Sequence, residues 1–213
     1  MTRILPGIFA MATIVVVSNI LVQFLLLDGL LTWGAFTYPF AFLVTDVMNR
    51  VYGTQDARRV VFAGFVVGII CSLIGSQIML QGDGYTYPAV AIRIAIGSAV
   101  AFLVAQMLDV LIFSRLRDGA WWRAPLASTL VGSTIDTALF FTIAFAGFIS
   151  FGAAADGETS WALDTMPFLT FGADAPLWVS LAVADWGVKL AIALIALVPF
   201  RMIVTQLMAR SAT

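Results

Sequence analysis

Ionisable and amide side chains stand inside long apolar stretches of this sequence, where a charge is costly. In TYPFAFLVTDVMNRVYG, residues 37–53, Asp46, Asn49 and Arg50 are three and four residues apart, which places them on one helical face. A charge near the centre of a bilayer costs about 2.5–3.5 kcal/mol on insertion scales, so such residues usually face a bundle interior and often mark a site. We predict that these three bind a polar ligand; the alternative is a helix-end cap in which Asp46 only pairs with Arg50.

The deepest of these charges is Asp136, in STLVGSTIDTALFFTIAF. It lies about 18 Å along its helix from the basic end, too far for its carboxylate to reach solvent. Small and polar residues recur beside it at spacings of three and four, which suits close helix approach or the lining of a cavity. The recurring residues are Ser128, Thr129, Gly132, Ser133, Asp136 and Phe140. We predict that Asp136 binds substrate; without its carboxylate the same stripe would indicate packing alone.

Other apolar stretches carry polar pairs with two possible readings. Gln106 and Asp109 are three residues apart in AQMLDVLIF, and Arg93 stands near the other end of the same stretch. We predict substrate contacts for all three, with interfacial anchoring as the alternative for Arg93. Asn19 and Gln23, four residues apart, are either substrate contacts or interhelical hydrogen-bond donors.

Asp185 and Lys189 have the spacing of an ion pair within one helix. A pair offsets its own burial cost better than a lone charge does, so a structural role is predicted for both.

Composition identifies the class of protein that positions these groups. The chain has 213 residues, of which 62% are hydrophobic and 11% charged, whereas soluble domains carry about 25% charged residues. Apolar stretches of about 20 residues, enough to span a bilayer as a helix, recur along the chain. We predict an all-α integral membrane protein with six transmembrane helices in a single domain, residues 1–213. The helices are expected at about residues 7–27, 32–49, 60–81, 89–114, 124–151 and 175–204.

The positions of the arginines predict the orientation. They cluster before helix one, between helices two and three, between four and five, and after helix six, whereas the opposite connections contain no Lys or Arg. The positive-inside rule therefore predicts cytoplasmic N and C termini. The first apolar segment is too long for a signal-peptide core and is expected to remain in the protein. Residues 152–174 are expected to form a surface loop, with an interfacial lid as the alternative.

Several kinds of chemistry lack the residues that they need. The chain has no His and a single Cys, Cys71, so we expect no metal site, haem or disulfide. It contains no P-loop motif for ATP hydrolysis. We expect no catalytic residues and no cofactor, although an intramembrane enzyme with paired aspartates such as Asp46 and Asp136 stays an alternative.

Four stretches together resemble the queuosine precursor transporter family of the vitamin uptake transporter group. They are TYPFAFLVTDVMNRVYG, DARRVV, AQMLDVLIFSRL and LVGSTIDTALFFTIAF. The resemblance implies a six-helix importer in the bacterial inner membrane for 7-cyano-7-deazaguanine, 7-aminomethyl-7-deazaguanine or both. Transport would be facilitated or ion-coupled; the alternative is a substrate-binding membrane subunit energised by a partner. Expected partners are this small-molecule base and membrane lipid, with no nucleic acid, and a homo-oligomer is left open.

A guanine-like edge suits the buried polar residues. Its N–H and NH₂ lie side by side, so one carboxylate, predicted to be that of Asp136, accepts both. Amides or an arginine would donate to the O6 carbonyl oxygen and to the ring acceptor, and the flat ring would stack on an aromatic side chain. The predicted substrate-binding residues are Asn19, Gln23, Asp46, Asn49, Arg50, Arg93, Gln106, Asp109, Ser133, Asp136, Thr137 and Phe140.

Overall fold

Apolar helices make up most of the fold, which is given by a computed structural model that describes residues 2–21, 24–27, 29–82, 84 and 86–211. The α-helices of these residues are α1 Leu5–Leu21, α2 Gly34–Thr37, α3 Phe40–Tyr52, α4 Thr54–Gln77, α5 Ile92–Leu116, α6 Arg123–Phe145, α7 Ala153–Gly157 and α8 Leu177–Ser211. Within the described residues, α4, α5, α6 and α8 are long and apolar enough to cross a membrane, and α1 is a shorter apolar helix. The chain is therefore a mostly helical, multi-pass membrane protein; six spans and cytoplasmic termini stay predictions.

Contacts between helices fix their directions. Arg93 at the start of α5 reaches Ile143 near the end of α6, so these two closely packed helices are antiparallel. Thr45 pairs with Gln106 and, one turn later, Asn49 pairs with Val110, so α3 and α5 run in the same direction. Most of the arginines meet at one end of the bundle, which we call the arginine end. They are Arg3, Arg50, Arg58, Arg59, Arg115, Arg117, Arg123 and Arg201.

Proline and glycine divide the predicted second and third helices differently from the hydropathy pattern. Pro39 has no N–H to donate, so α2 and α3 are separate segments, although Tyr38 and Pro39 keep right-handed helical dihedrals. Gly53 has φ 91°, a left-handed conformation that ends α3 and lets α4 begin at once at Thr54. The connection expected between residues 49 and 60 is thus a single-residue turn.

Three short antiparallel ribbons lie at the end of the bundle opposite the arginine end. They take the place of predicted helix ends or of predicted loop. β1 Leu25–Leu26 pairs with β2 Leu31–Thr32, β3 Met79–Gln81 with β4 Thr86–Pro88, and β5 Thr165–Pro167 with β6 Asp174–Pro176. α1 consequently ends at Leu21 rather than at residue 27, and α4 ends at Gln77 rather than at residue 81. Apolar composition alone did not distinguish these ribbons from helix ends.

Residues 152–174 are folded onto the bundle. They include α7 and a 3-10 turn, Ser160–Leu163, in which Ala162 is fully buried against Phe145 and Phe141. α6 ends at Phe145, before the predicted residue 151, and the chain then turns into this loop. α8, by contrast, continues to Ser211, beyond the predicted residue 204.

Candidate functional site

A buried ionic cluster joins α6 and α8 in the middle of the bundle. The Lys189 ammonium donates to Asp136 Oδ2 at 2.8 Å and to Thr137 Oγ1 at 3.0 Å, and lies 2.6 Å from Asp185 Oδ2. The Tyr38 hydroxyl donates to Asp136 Oδ1 at 3.0 Å, and the Thr137 hydroxyl donates to Asp185 Oδ2 at 2.9 Å. We call these five residues the lysine cluster. Asp185 and Lys189 form the predicted i,i+4 pair, but Lys189 is shared with Asp136.

Local sequence explains why the lysine cluster can form. Asp136 and Thr137 are adjacent on α6 and present neighbouring oxygens to α8, while Tyr38 enters from the break between α2 and α3. Burial of the charges is nearly complete, since the side chains of Lys189 and Asp136 are 5% and 4% exposed. Such burial is tolerated because each charge has an opposite charge and hydrogen-bond partners.

Aromatic rings surround the Tyr38 side of the cluster. The Tyr38 ring lies edge-on to Phe42 and Phe102, with centroid distances of 6.5 and 6.2 Å. The Lys189 ammonium lies 5.4 Å from the Tyr38 ring centroid. The arrangement therefore combines hydrogen-bond acceptors, a cation and aromatic edges in one buried place.

A second polar group lies nearer the arginine end. Its distance from the lysine cluster is about 12 Å along α6, because Ser128 of this group precedes Asp136 by eight residues. Asp46 accepts hydrogen bonds from the hydroxyls of Ser128 and Thr129, both at 3.1 Å. Asp109 lies against the same face of α6, because a Cβ at Gly132, one turn from Ser128, would lie 3.5 Å from the Asp109 Cβ. We call Asp46 and Asp109 the acid pair.

Several polar atoms beside the acid pair lack a protein partner among the described residues. They are both carboxyl oxygens of Asp109, Nε2 of Gln106 and Oγ of Ser133, and all three side chains are fully buried. Gln106 is held through its other amide atom, because the Thr45 hydroxyl donates to Oε1 at 2.6 Å. Buried polar atoms of this kind are rare in native proteins and call for an explanation such as a proton, a water or a ligand.

The three polar residues of the TYPFAFLVTDVMNRVYG stretch have different partners. Asn49 donates to the Val110 carbonyl at 3.0 Å and to the Ser114 hydroxyl at 3.2 Å, which ties α3 to α5. Arg50 donates to the backbone carbonyls of Arg117 and Trp121 at the arginine end. Of the three, only Asp46 belongs to the acid pair. These contacts favour structural roles for Asn49 and Arg50, and their predicted substrate contacts stay predictions.

Arg93 caps the end of α6. Its guanidinium donates to the carbonyls of Ile143 and Ala146 and to Asp156 Oδ1, at 2.9 to 3.2 Å. It also lies 5.6 Å from the Phe151 ring centroid. Arg93 is only 2% exposed, so these contacts satisfy a buried cation and favour a structural role over the predicted substrate contact.

The remaining predicted site residues have other contacts or lie outside the described residues. The Asn19 amide donates to the Val15 carbonyl of its own helix at 2.8 Å. Phe140 packs against Phe141 and Phe145, with centroid distances of 5.1 and 6.0 Å. Gln23 lies outside the described residues.

Tyr38 and Thr45 belong to the polar groups but were not singled out from the sequence. The available signal was their position in the same apolar stretch as Asp46, Tyr38 directly before Pro39 and Thr45 directly before Asp46. Hydroxyl residues are common enough in apolar helices that this signal alone is weak.

The structure is closed around the polar groups. A cleft of about 10 Å³, room for about one water molecule, lies beside Asp46. Its lining residues are Pro39, Leu43, Asp46, Pro125, Thr129, Ala193, Ala196, Leu197 and Phe200. A wider open groove, of about 560 Å³, runs along the surface of α5 and is lined by Arg58, Val104, Met107, Leu108 and Leu111. Within the described residues, no group of three or more His, Cys, Asp or Glu is placed to hold a metal ion.

Comparison with known proteins relates the chain to membrane carriers. Residues 32–204 match the model of a family described as "Putative vitamin uptake transporter". The chain is 37% identical over 175 residues to a "Probable queuosine precursor transporter" of Haemophilus influenzae, which covers 79% of this chain and 66% of that protein. It is 42% identical over 137 residues to a "Queuosine precursor transporter" of Escherichia coli, which covers 60% of this chain and 62% of that protein.

A "Probable queuosine precursor transporter" of Bacillus subtilis is 27% identical over 180 residues, which cover 78% of this chain and 68% of that protein. The chain thus spans about two thirds of the length of the curated relatives that it matches. No solved structure matches it significantly.

Proposed function

Because the chain belongs to the vitamin uptake transporter family, we propose that it imports queuosine precursors across the bacterial inner membrane. The proposed substrates are 7-cyano-7-deazaguanine, 7-aminomethyl-7-deazaguanine or both, moved by facilitated or ion-coupled transport. The observation that carries the proposal is the 37% identity over 175 residues to a protein named as a queuosine precursor transporter. A flat, polar base requires a polar site shielded from lipid, and buried polar residues on α3, α5, α6 and α8 are suited to that purpose.

We place base recognition at the lysine cluster. Both oxygens of Asp136 already face donors, the Tyr38 hydroxyl and the Lys189 ammonium. The adjacent N–H and NH₂ of a guanine-like edge are two parallel donors that would replace them. Lys189 would keep a counter-ion when it leaves Asp136, because Asp185 Oδ2 lies 2.6 Å from the same nitrogen. The exchange therefore leaves no buried charge without a partner.

Binding at this place requires the helices to separate. The side chains of Lys189 and Asp136 are only 5% and 4% exposed, whereas a ligand pocket needs about 300–1,000 Å³ of open space. Movement of α8 away from α6 would open the lysine cluster and expose the edges of Tyr38 and Phe42 to the ring of the base. Stacking of a base on an aromatic side chain contributes about 1–3 kcal/mol.

Restoration of queuosine tests the import function. The chain is expressed in a bacterial strain that neither synthesises nor imports the precursors, and the strain is fed nanomolar 7-cyano-7-deazaguanine. Queuosine should appear in its tRNA. Its absence, with the chain shown to be inserted in the membrane, would refute the proposal. Uptake by liposomes that contain only the purified chain excludes the alternative of a subunit that needs a partner ATPase.

Asp136→Asn tests the recognition site. The substitution keeps size but replaces an acceptor oxygen by NH₂, so one base donor loses its partner, at a cost of about 2–5 kcal/mol in binding. The dissociation constant measured on purified protein should therefore rise at least about thirtyfold. Glu158→Gln, an exposed loop substitution, is the matched control and should bind normally. Normal binding by Asp136→Asn would place recognition elsewhere.

A further inference from the structure

The acid pair buries two carboxyl groups without a cation. Asp46 is 3% exposed and Asp109 is fully buried. No described Lys or Arg nitrogen lies within 4 Å of either carboxyl group, because the ion pairs of the described residues all involve other acids. The Ser128 and Thr129 hydroxyls donate to Asp46, whereas neither oxygen of Asp109 accepts a hydrogen bond from the described residues.

Two adjacent carboxylates in such surroundings cannot both be ionised. Like charges in a shared site repel, and each buried ion without a counter-ion costs several kcal/mol. A proton held between the two groups removes one charge and supplies the donor that the second carboxyl lacks. The acid pair therefore holds at least one proton in the closed structure.

The surrounding helices offer no other compensation. On α3, Arg50 lies one turn from Asp46, but its guanidinium donates to the carbonyls of Arg117 and Trp121. α5 contributes the uncharged Gln106, and α6 contributes only hydroxyl groups and a glycine at this level. α8 faces the pair with alanine, leucine and phenylalanine side chains.

On α4, the charged residues lie in the first turns. Asp56 pairs there with Arg3 and Arg59, at 3.1 and 2.9 Å. Arg58 lines the surface groove along α5. None of these groups pairs with the acid pair.

The cleft beside Asp46 provides a route for a proton but not for a base. It lies between α3, α6 and α8 and has room for about one water molecule. Asp46 and Thr129 are its polar lining residues. One water there would be in place to exchange a proton with Asp46, whereas the proposed substrate needs a far larger opening.

If import occurs as proposed above, we propose that the acid pair is the proton-binding site that couples import of the base to the proton gradient. One proton enters with each base and leaves Asp46 through the cleft at the arginine end. The pair changes from one negative charge to two on release. Stabilising the doubly ionised form would require Arg50, one turn from Asp46 on α3, to leave the carbonyls of Arg117 and Trp121 and turn toward the pair. A proton from the opposite side then reloads the pair, and no covalent bond of the base changes. Asp46 and Asp109 act on the proton rather than on the base, which differs from the sequence prediction.

Liposomes containing the purified chain test this coupling, with the membrane voltage held at zero. Counterflow of labelled 7-cyano-7-deazaguanine, without a pH gradient, measures import alone. A second assay makes the outside more acidic and measures accumulation of the labelled base. One proton per base and a difference of about one pH unit should give about tenfold accumulation. A pH-sensitive dye inside the liposomes should report acidification that depends on the base.

Asp109→Asn should lower the inside-to-outside ratio from about ten toward one, because an amide cannot exchange this proton. Asp46→Asn should lower the ratio in the same way. It replaces Asp109→Asn in the test if that variant does not insert into the membrane. The matched control is Asp56→Asn, which removes a buried carboxylate of the arginine end that is compensated by arginines. It should keep tenfold accumulation.

The outcomes separate the two proposals. Counterflow by the unchanged protein without accumulation or base-dependent acidification would overturn proton coupling and leave import standing. Absence of counterflow in the unchanged protein would overturn import itself. Tenfold accumulation by both Asp109→Asn and Asp46→Asn would show that the proton binds elsewhere. The measurements on the unchanged protein decide on coupling even if every variant fails to fold.

Discussion

Replacing Lys189 by methionine should destabilise the protein more than any other single change in the lysine cluster. Lys189 is the cation between Asp136 and Asp185, so the cluster carries one net negative charge. Methionine keeps the length and apolar stem of lysine but removes the ammonium. Two carboxylates, 4% and 14% exposed, then face each other without it.

The magnitude follows from the burial of these groups. Breaking a buried ion pair by removal of one partner costs about 3–5 kcal/mol. For a chain of this size each kcal/mol lowers the melting temperature by about 2–4 °C, so Lys189→Met should melt about 6–20 °C lower. Asp185→Asn leaves the Asp136–Lys189 pair and an amide oxygen that still accepts from Thr137. The free energy of unfolding of Asp185→Asn should therefore fall by less than about 1.5 kcal/mol.

Thermal unfolding of detergent-purified variants, followed by size-exclusion chromatography, measures whether Lys189→Met is less stable than Asp185→Asn. The triple variant with Asp136→Asn, Lys189→Met and Asp185→Asn is the charge-free control and should recover part of the loss. A melting temperature of Lys189→Met equal to that of the unchanged protein would refute the role assigned to the ammonium. So would a larger loss in Asp185→Asn than in Lys189→Met.

Three further predictions concern other parts of the molecule. In a Cys71→Ser background, a cysteine placed at Gly119 should react with membrane-impermeant thiol reagents only from the cytoplasm and one at Gly157 only from outside; reversed labelling would contradict the orientation. Gly132→Ala should destabilise by about 1–3 kcal/mol, because its Cβ would lie 2.8 Å from a Phe42 ring carbon. Gly187→Ala, which meets open space, is the control in the same melting assay, and equal losses would argue against the clash. The pKa of Asp156 is lowered by its neighbours: the hydrogen bond from the Phe151 N–H has the largest effect, followed by the Ser150 hydroxyl and the Arg93 guanidinium. The stabilising effect of Asp156 is therefore fully present above the ordinary aspartate pKa of about 3.9 and is lost as pH falls through the lowered folded value. The melting temperatures of Asp156→Asn and the unchanged protein should therefore differ most from pH 5 to 8 and draw closer as pH falls below about 4. A difference that widens on acidification would be incompatible with that lowered pKa.

The sequence predicted the membrane class and the burial of key charges because both depend on composition and helical period. Asp46, Asp109 and Asp136 are buried, as expected of charges in apolar helices. Asp185 and Lys189 form the predicted pair, since residues i and i+4 of a helix are neighbours whatever surrounds them.

Partners on other helices were beyond the sequence because they depend on how helices rotate and approach each other. Asn49 and Arg50 share a helical stripe with Asp46, yet each contacts a different group. Asp136 forms an ion pair with Lys189 because α6 packs on α8, which the sequence does not specify. Helix ends were missed for a related reason, because the β1–β2 ribbon is as apolar as the helices beside it.

The cap that Arg93 forms on α6 bears on how the protein can move. Arg93 belongs to α5, yet it holds two carbonyls at the end of α6 and, through Asp156, the loop that follows. Near the middle of the same two helices, Gly132 lets the backbones lie in contact, since a Cβ there would lie 3.4 Å from the Ala105 carbonyl oxygen. To slide or splay α5 from α6, the protein would have to expose a buried guanidinium, so α5, α6 and the start of their loop should travel as one rigid body. Alternating access would then come from rocking of the other helices against this unit, with the joints at Pro39 and Gly53 taking up the bend.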